Sequence, residues 1–143
     1  MSAQVSADLL VNITATVIAP PACTIGGDVA VNFGDNLQAS EIDGIKYARD
    51  LGVTLSCSSN TSGVEFWVDG EASKFDSKLL SSGIDDLGIR FFRSGTTPVF
   101  LRQRFTVADW RERLVLKVVP VKRSGTSPVG RINTVATLMV YVT

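Results

Sequence analysis

The chain of 143 residues contains no histidine. A Ser-His-Asp triad, a Cys-His pair and every His-ligated metal site are therefore excluded. It has only two cysteines, Cys23 and Cys57. A structural zinc would need about four ligands, and none can be assembled around them. No Walker A or Gly-x-Gly-x-x-Gly motif occurs, and Gly26-Gly27 is too short to cradle a phosphate and reads as a turn. No apolar run approaches the roughly 18 residues of a membrane helix. There is no excess of charge of either sign, with 14 basic against 14 acidic residues, so no net field draws the protein to nucleic acid or to a membrane. Met1-Ser2-Ala3-Gln4 lacks the charged and apolar regions of a signal peptide, and reads as a mature start given an initiator Met or as a cytosolic start. Asp85-Asp86 and Asp69-Gly70-Glu71 read as solvated turn acids, not as a catalytic or calcium-binding pair. Catalysis and a cofactor are not expected.

What is present is a series of short alternating apolar stretches, separated by Gly, Ser, Asn and Asp. Val29, Val31 and Phe33 alternate, then Leu51, Val53, Leu55 and Cys57, then Val64, Phe66 and Val68. Leu87 to Phe92, Val99 to Leu101, Leu114 to Pro120 and Ile132 to Val142 follow. No window of a dozen residues has a 3.6-residue period, and Val107 to Arg113 could form one helical turn at most. Many short strands with turn signals at near-regular spacing indicate an all-β sandwich in a single domain. The cysteines sit at the edges of two such strands. A disulfide between them would close a loop of about 34 residues, contribute roughly 3–4 kcal/mol in the chain-entropy account, and imply an oxidising compartment.

Charge is unevenly placed along the chain. Residues 1–87 hold 12 acidic side chains and four basic ones, whereas residues 88–124 hold nine basic ones against Asp109 and Glu112. The pattern fits the solvated outer faces of alternating strands, or a basic surface that meets an acidic partner. Trp67 and Trp110 could line a sugar site, but packing in the core or at an edge accounts for them better.

The two ends of the chain are the informative parts. Leu9, Val11, Ile13, Ala15 and Val17 fall at every second position and share one face of an extended strand. Pro20-Pro21 then removes two backbone donors and fixes φ, a stiff joint before the body begins. At the other end, Gly130 precedes a strand whose Ile132, Ala136, Leu138, Val140 and Val142 share one face, with Thr134 interrupting. A final strand with an apolar face and an unpaired edge is an aggregation hazard unless something covers it. A spare strand stands at the front and a vacancy at the back.

Over essentially its whole length the chain resembles the pilin subunits of chaperone–usher fimbriae. The resemblance rests on the alternating extension, Pro20-Pro21-Ala22-Cys23-Thr24-Ile25, Val31-Asn32-Phe33-Gly34, Leu55-Ser56-Cys57, Leu87-Gly88-Ile89, and Gly130 fourteenth from the end. Within that family the run from Asn12 to Pro21 before Cys-Thr-Ile is most similar to the minor tip-adaptor pilin of P-type pili. Two departures are Ala15, where the family usually has glycine, and Val142, where it usually has tyrosine. The resemblance implies an incomplete immunoglobulin-like sandwich lacking its last strand, completed by a donor strand from a partner. It divides the chain into a donor extension, 1–19, and a pilin domain, 20–143.

Leu9, Val11, Ile13, Ala15 and Val17 would then enter a neighbour's groove. Gly130, Ile132, Ala136, Leu138, Val140 and Val142 would line the groove that accepts first a chaperone strand and then the next subunit. The implied partners are a periplasmic chaperone, an outer-membrane usher and neighbouring subunits, a tip adhesin among them. The implied course runs through the periplasm to the bacterial surface. A secreted host- or carbohydrate-binding module, or the subunit that terminates the same fimbria, are the alternatives.

Overall fold

The computed structural model describes residues 10–18, 23–27, 30–33, 37–57, 61–94, 96–128, 130 and 132–142. Leu9, the Pro20-Pro21 joint and the Gly34-Asp35-Asn36 turn lie outside the described residues. Among the described residues eleven strands follow one another: β1 (Leu10–Ile18), β2 (Cys23–Gly27), β3 (Ala30–Asn32), β4 (Arg49–Cys57), β5 (Val64–Gly70), β6 (Leu80–Ile84), β7 (Leu87–Arg93), β8 (Thr97–Val99), β9 (Phe105–Thr106), β10 (Leu114–Lys122) and β11 (Asn133–Val142). One short 3-10 turn, Ala39–Glu41, is the only helical element among the described residues.

The strands form two sheets. One has the order β3-β1-β11-β5-β9; the other has β2-β4-β10-β7-β6, with β8 also paired to β7. Alternation drives this layering, because every second side chain of a strand faces the opposite sheet. In β5, Val64, Phe66 and Val68 are buried while Glu65, Trp67 and Asp69 are only partly so. Leu116 and Val118 of β10, Ile89 and Phe91 of β7, and Leu51 and Val53 of β4 meet them from the second sheet in one continuous core. Phe66 and Phe105 stack at its margin, with ring centroids 5.5 Å apart.

Local chemistry explains the irregular places. β6 is bulged between Ser81 and Ile84. There the fully buried Ser82 hydroxyl donates to the Leu87 carbonyl at 2.5 Å and accepts the Ile84 N–H at 3.1 Å, so the interrupted ladder leaves that hydroxyl satisfied. The stretch 107–113 forms turns and no helix, closed by Glu112 N–H donating to the Asp109 carbonyl. Cys23 and Cys57 stand opposite each other in the β2–β4 ladder and form a disulfide, with Cα atoms 4.1 Å apart.

The sandwich is all-β and immunoglobulin-like, and the elements from β2 to β11 leave it one strand short. β3 and β11 do not pair with each other; a strand-wide gap separates them, and β1 lies in that gap.

Candidate functional site

β11 forms one wall of the gap. Ile132, Ala136, Leu138, Val140 and Val142 are all at most 2% exposed, as their alternation predicts. The other face carries Val135, 63% exposed, with Met139 and the half-buried Tyr141, so Tyr141 faces outward as the register requires. Gly130 is the remaining expected groove residue. It precedes the strand at φ 132°, exposed, and a Cβ there would meet Ile84. That φ is one that side chains disfavour and glycine adopts freely.

β3 forms the second wall, and only at one end. β1 pairs with it antiparallel over Leu10↔Asn32, Val11↔Val31 and Asn12↔Ala30. Against β11, β1 makes a parallel ladder along its full nine residues, from Leu10↔Asn133 to Ile18↔Tyr141. Ile13, Ala15 and Val17 stand at the register levels of Ala136, Leu138 and Val140, and Val11 at that of Thr134. Positions 13, 15 and 17 thus fall level with residues of the alternating buried face of β11, and Val11 falls level with Thr134, the interruption in that face.

The sequence led to the expectation that the extension stands apart from its own body. Over Leu10–Ile18 it instead lies within the body's sheet, between β11 and β3. The physical reason is proximity. An unpaired edge next to a short-tethered strand of matching pattern acquires backbone partners for groups that would otherwise lack them. Sequence reading found both β1 and β11. It missed β3 as a wall, because Val31 and Phe33 signal a strand without saying which strand it meets.

Elsewhere several surface charges are paired within the chain. Arg102 pairs with Asp69 at 2.9 Å, Arg104 with Glu65 at 3.2 Å, and Arg123 with Asp86 at 3.1 Å, while Lys74 takes Asp85 at 3.1 Å. Three of the nine basic residues of that segment therefore face acids of the chain's own first half, and these exposed pairs are each worth about 0–1 kcal/mol. Of the turn acids, Asp69, Asp85 and Asp86 each have a basic partner. Trp67 carries the Arg104 guanidinium over its ring at 4.5 Å, and Trp110 carries that of Arg111 at 4.5 Å. One face of each indole is thus occupied by a cation, which disfavours the pair as an open sugar platform. No helix among the described residues is long and apolar enough to cross a membrane.

Comparison with known proteins agrees with this geometry. The family profile described as "Fimbrial protein" matches residues 11–143. The chain is also 32% identical over 145 aligned residues to an uncharacterized fimbrial-like protein, YfcR, of Escherichia coli strain K12, covering 98% of this chain and 83% of that protein.

Proposed function

Since the chain belongs to the fimbrial protein family, whose members are structural and not enzymatic, we propose that it is a structural or adaptor subunit of a chaperone–usher fimbria that polymerises by donor-strand exchange. The carrying observation is the gap between β3 and β11, one strand wide and filled by β1. A sandwich that needs an added strand is a receiver for strand addition, in which main-chain pairing gives affinity and alternate side-chain positions give specificity. In this reading residues 1–19 are the donor extension and 20–143 the receiving domain. Ile132, Ala136, Leu138, Val140 and Val142 line the groove, and a periplasmic chaperone fills it before an usher passes the subunit to its neighbour. The adaptor position beside a tip adhesin rests on the run from Asn12 to Pro21. The oxidising route through the periplasm accounts for the Cys23–Cys57 bond.

The test is strand exchange in vitro between this subunit and a chaperone-bound neighbour, read by electrophoresis without boiling. Ile13, at the level of buried Ala136, is the sensitive position. Ile13→Asp would bury an unpaired carboxylate at a cost of several kcal/mol and should block incorporation. Thr14→Asp, at the level of Thr137 on the outer face, should largely preserve it. Equal loss from both substitutions would overturn the one-faced donor strand.

A further inference from the structure

β10 is apolar on both of its faces. Leu116 and Val118 point into the core, while the alternate positions Val115, Lys117, Val119 and Val121 face out from the second sheet. Three of those four are valine, and a strand apolar on both sides belongs under cover on both. The outer cover is present at one end only. Gly88 stands opposite Val121, Arg90 opposite Val119 and Phe92 opposite Lys117. A Cβ on Gly88 would meet Leu79 at 2.9 Å and Ser73 at 3.4 Å, so those two residues lie over that end of the sheet. Leu79 and Val119 are buried, yet neither belongs to the central core. At the other end Val115 is 43% exposed, Phe92 is half-buried, and Pro98, opposite Phe92 on β8, is exposed.

The polar groups at the margin of this cover lack partners. Among the nine basic residues of 88–124, Arg102, Arg104 and Arg123 meet acids of the first half, and Arg111 meets Asp109. Lys122 donates to the Ala39 carbonyl at 2.9 Å, Arg93 lies over the Phe105 ring, and Arg113 lies over Gly52. Arg90 and Lys117 are left, with no partner among the described residues. They are diagonal neighbours across β7 and β10, within reach of each other for long side chains, so their charges repel. Asp50, opposite Lys117 on β4, is exposed and makes no ion pair with it. Three buried side-chain polar atoms among the described residues have no hydrogen-bond partner, and two of them, Arg90 Nε and Ser73 Oγ, belong to this one face. Ser73 as a whole is 6% exposed. Unsatisfied donors beside two unpaired cations call for an acceptor that carries negative charge.

We propose that the outer face of β7 and β10 is a docking surface for an acidic polypeptide segment. Arg90, Lys117 and the Ser73 hydroxyl receive its carboxylates, while its apolar side chains cover Phe92, Pro98 and Val115. A polypeptide suits the face better than a phosphate polymer does. Only two cations are unpaired here, they stand among valines and a phenylalanine, and the chain has no excess of positive charge to draw a polyanion. The face runs about 20 Å along β10 from Val115 to Val121 and about 14 Å across from β4 to β8. That is smaller than a standard protein interface, so the contact is weak, reversible and sensitive to salt. None of these residues lies on β1, β3 or β11, and the inference stands apart from the strand-addition reading.

The test is an NMR titration of the full, oxidised chain with a capped peptide of alternating glutamate and leucine. The same peptide with glutamine for glutamate, inorganic phosphate and heparin are titrated in parallel. The acidic peptide should shift the amides of Arg90, Phe92, Val115 and Lys117 to saturation, and high salt should abolish the shifts. Arg90→Gln and Lys117→Gln should each weaken the binding by about tenfold while leaving the melting temperature unchanged. Lys117→Gln leaves the buried Arg90 Nε in place, so it reads the same surface if Arg90→Gln fails to fold. Equal binding of the glutamine peptide would overturn the preference for acid. Capture of phosphate or heparin at these amides, with no response to the peptide, would replace the polypeptide with a polyanion and overturn the proposal. Shifts centred instead on Arg102, Arg104 and Arg123 would show diffuse attraction to charge and overturn it too. So would the absence of any shift at millimolar peptide.

Discussion

At the scale of single residues, two glycines separate backbone necessity from side-chain convenience. Gly27 ends β2 at φ 120°, and a Cβ there would stand 2.2 Å from the Gly52 carbonyl oxygen. Neither the conformation nor the backbone obstacle can yield without parting β2 from β4. Gly52, its neighbour across the ladder, has an ordinary φ, and the atoms a Cβ would meet belong to the Arg113 guanidinium. That group is the far end of a flexible, exposed side chain and can swing aside. Gly27→Ala should therefore lower unfolding free energy by about 2 kcal/mol or more. Gly52→Ala should stay within about 1 kcal/mol. Chemical denaturation of the oxidised protein measures both, and equal losses would contradict the distinction. The sequence shows Gly26-Gly27 as a turn signal, but the approach of Gly52 across the ladder is a pairing that no local pattern displays.

At the scale of elements, legibility follows the strength of alternation. β4, β5, β7, β10 and β11 each carry three or more apolar residues in period two, and the sequence shows all of them. β6 reads Leu80-Ser81-Ser82-Gly83-Ile84, with a buried serine at a core position, and β9 is only Phe105–Thr106. Neither has enough period to be seen without its partners. The segment from Gln38 to Tyr47 was equally silent, yet it is held by a specific set of contacts. Tyr47 takes φ 69°, its hydroxyl accepts the Gln38 N–H at 3.1 Å and donates to Glu41 Oε2 at 2.9 Å, and Lys46 pairs with Glu41 at 3.1 Å. Asp43 Oδ1 accepts the N–H groups of Lys46 and Ile45 at 2.7 and 2.9 Å. Hydrogen bonds from Lys46 and then Tyr47 hold the Glu41 carboxyl below its usual range, and those two backbone N–H groups do the same for Asp43. Lys46 is raised in turn, chiefly by its hydrogen bond to Glu41. Depressed carboxylates stabilise the folded loop above their ordinary pKa and lose that contribution as pH falls through the depressed value. The raised lysine contributes below its ordinary pKa and loses that contribution only as pH rises through the raised one. The loop should therefore hold its order across neutral pH and loosen at the acid end below about pH 4. Amide resonances of Ile45 and Lys46 followed by NMR should move together there while those of β10 stay fixed. Constancy down to about pH 2 would show that Asp43 does not cap this turn.

At the scale of the whole molecule, the two sheets are of unequal completeness. The sheet β2-β4-β10-β7-β6 is contiguous without help from the N-terminus, and the disulfide joins its edge strand to β4. The sheet β3-β1-β11-β5-β9 is not. Without β1 it loses the link between β3 and β11, so Val31 on one side and Ala136, Leu138 and Val140 on the other lose their shared neighbour. Each large apolar side chain uncovered in this way forfeits up to about 1.5–3 kcal/mol. Several such losses are comparable to the whole 5–15 kcal/mol by which a domain is stable. The pairing groups of β11 are left open along its length as well. A chain beginning at Ala19 should therefore fail to give a cooperative melt as a monomer, and should aggregate or associate through that edge. Adding a peptide of residues 9–18 should restore both the monomer and the melt, since it returns the missing strand without the tether. Restoration by a peptide carrying Ile13→Asp should be lost, because position 13 stands at the level of buried Ala136. Calorimetry with size-exclusion chromatography reads all three. A truncated chain that melts cooperatively as a monomer without peptide would mean that β3 and β11 can close on each other. The gap would then be a consequence of β1 being present and not a requirement of the fold, and strand addition would lose its physical basis here.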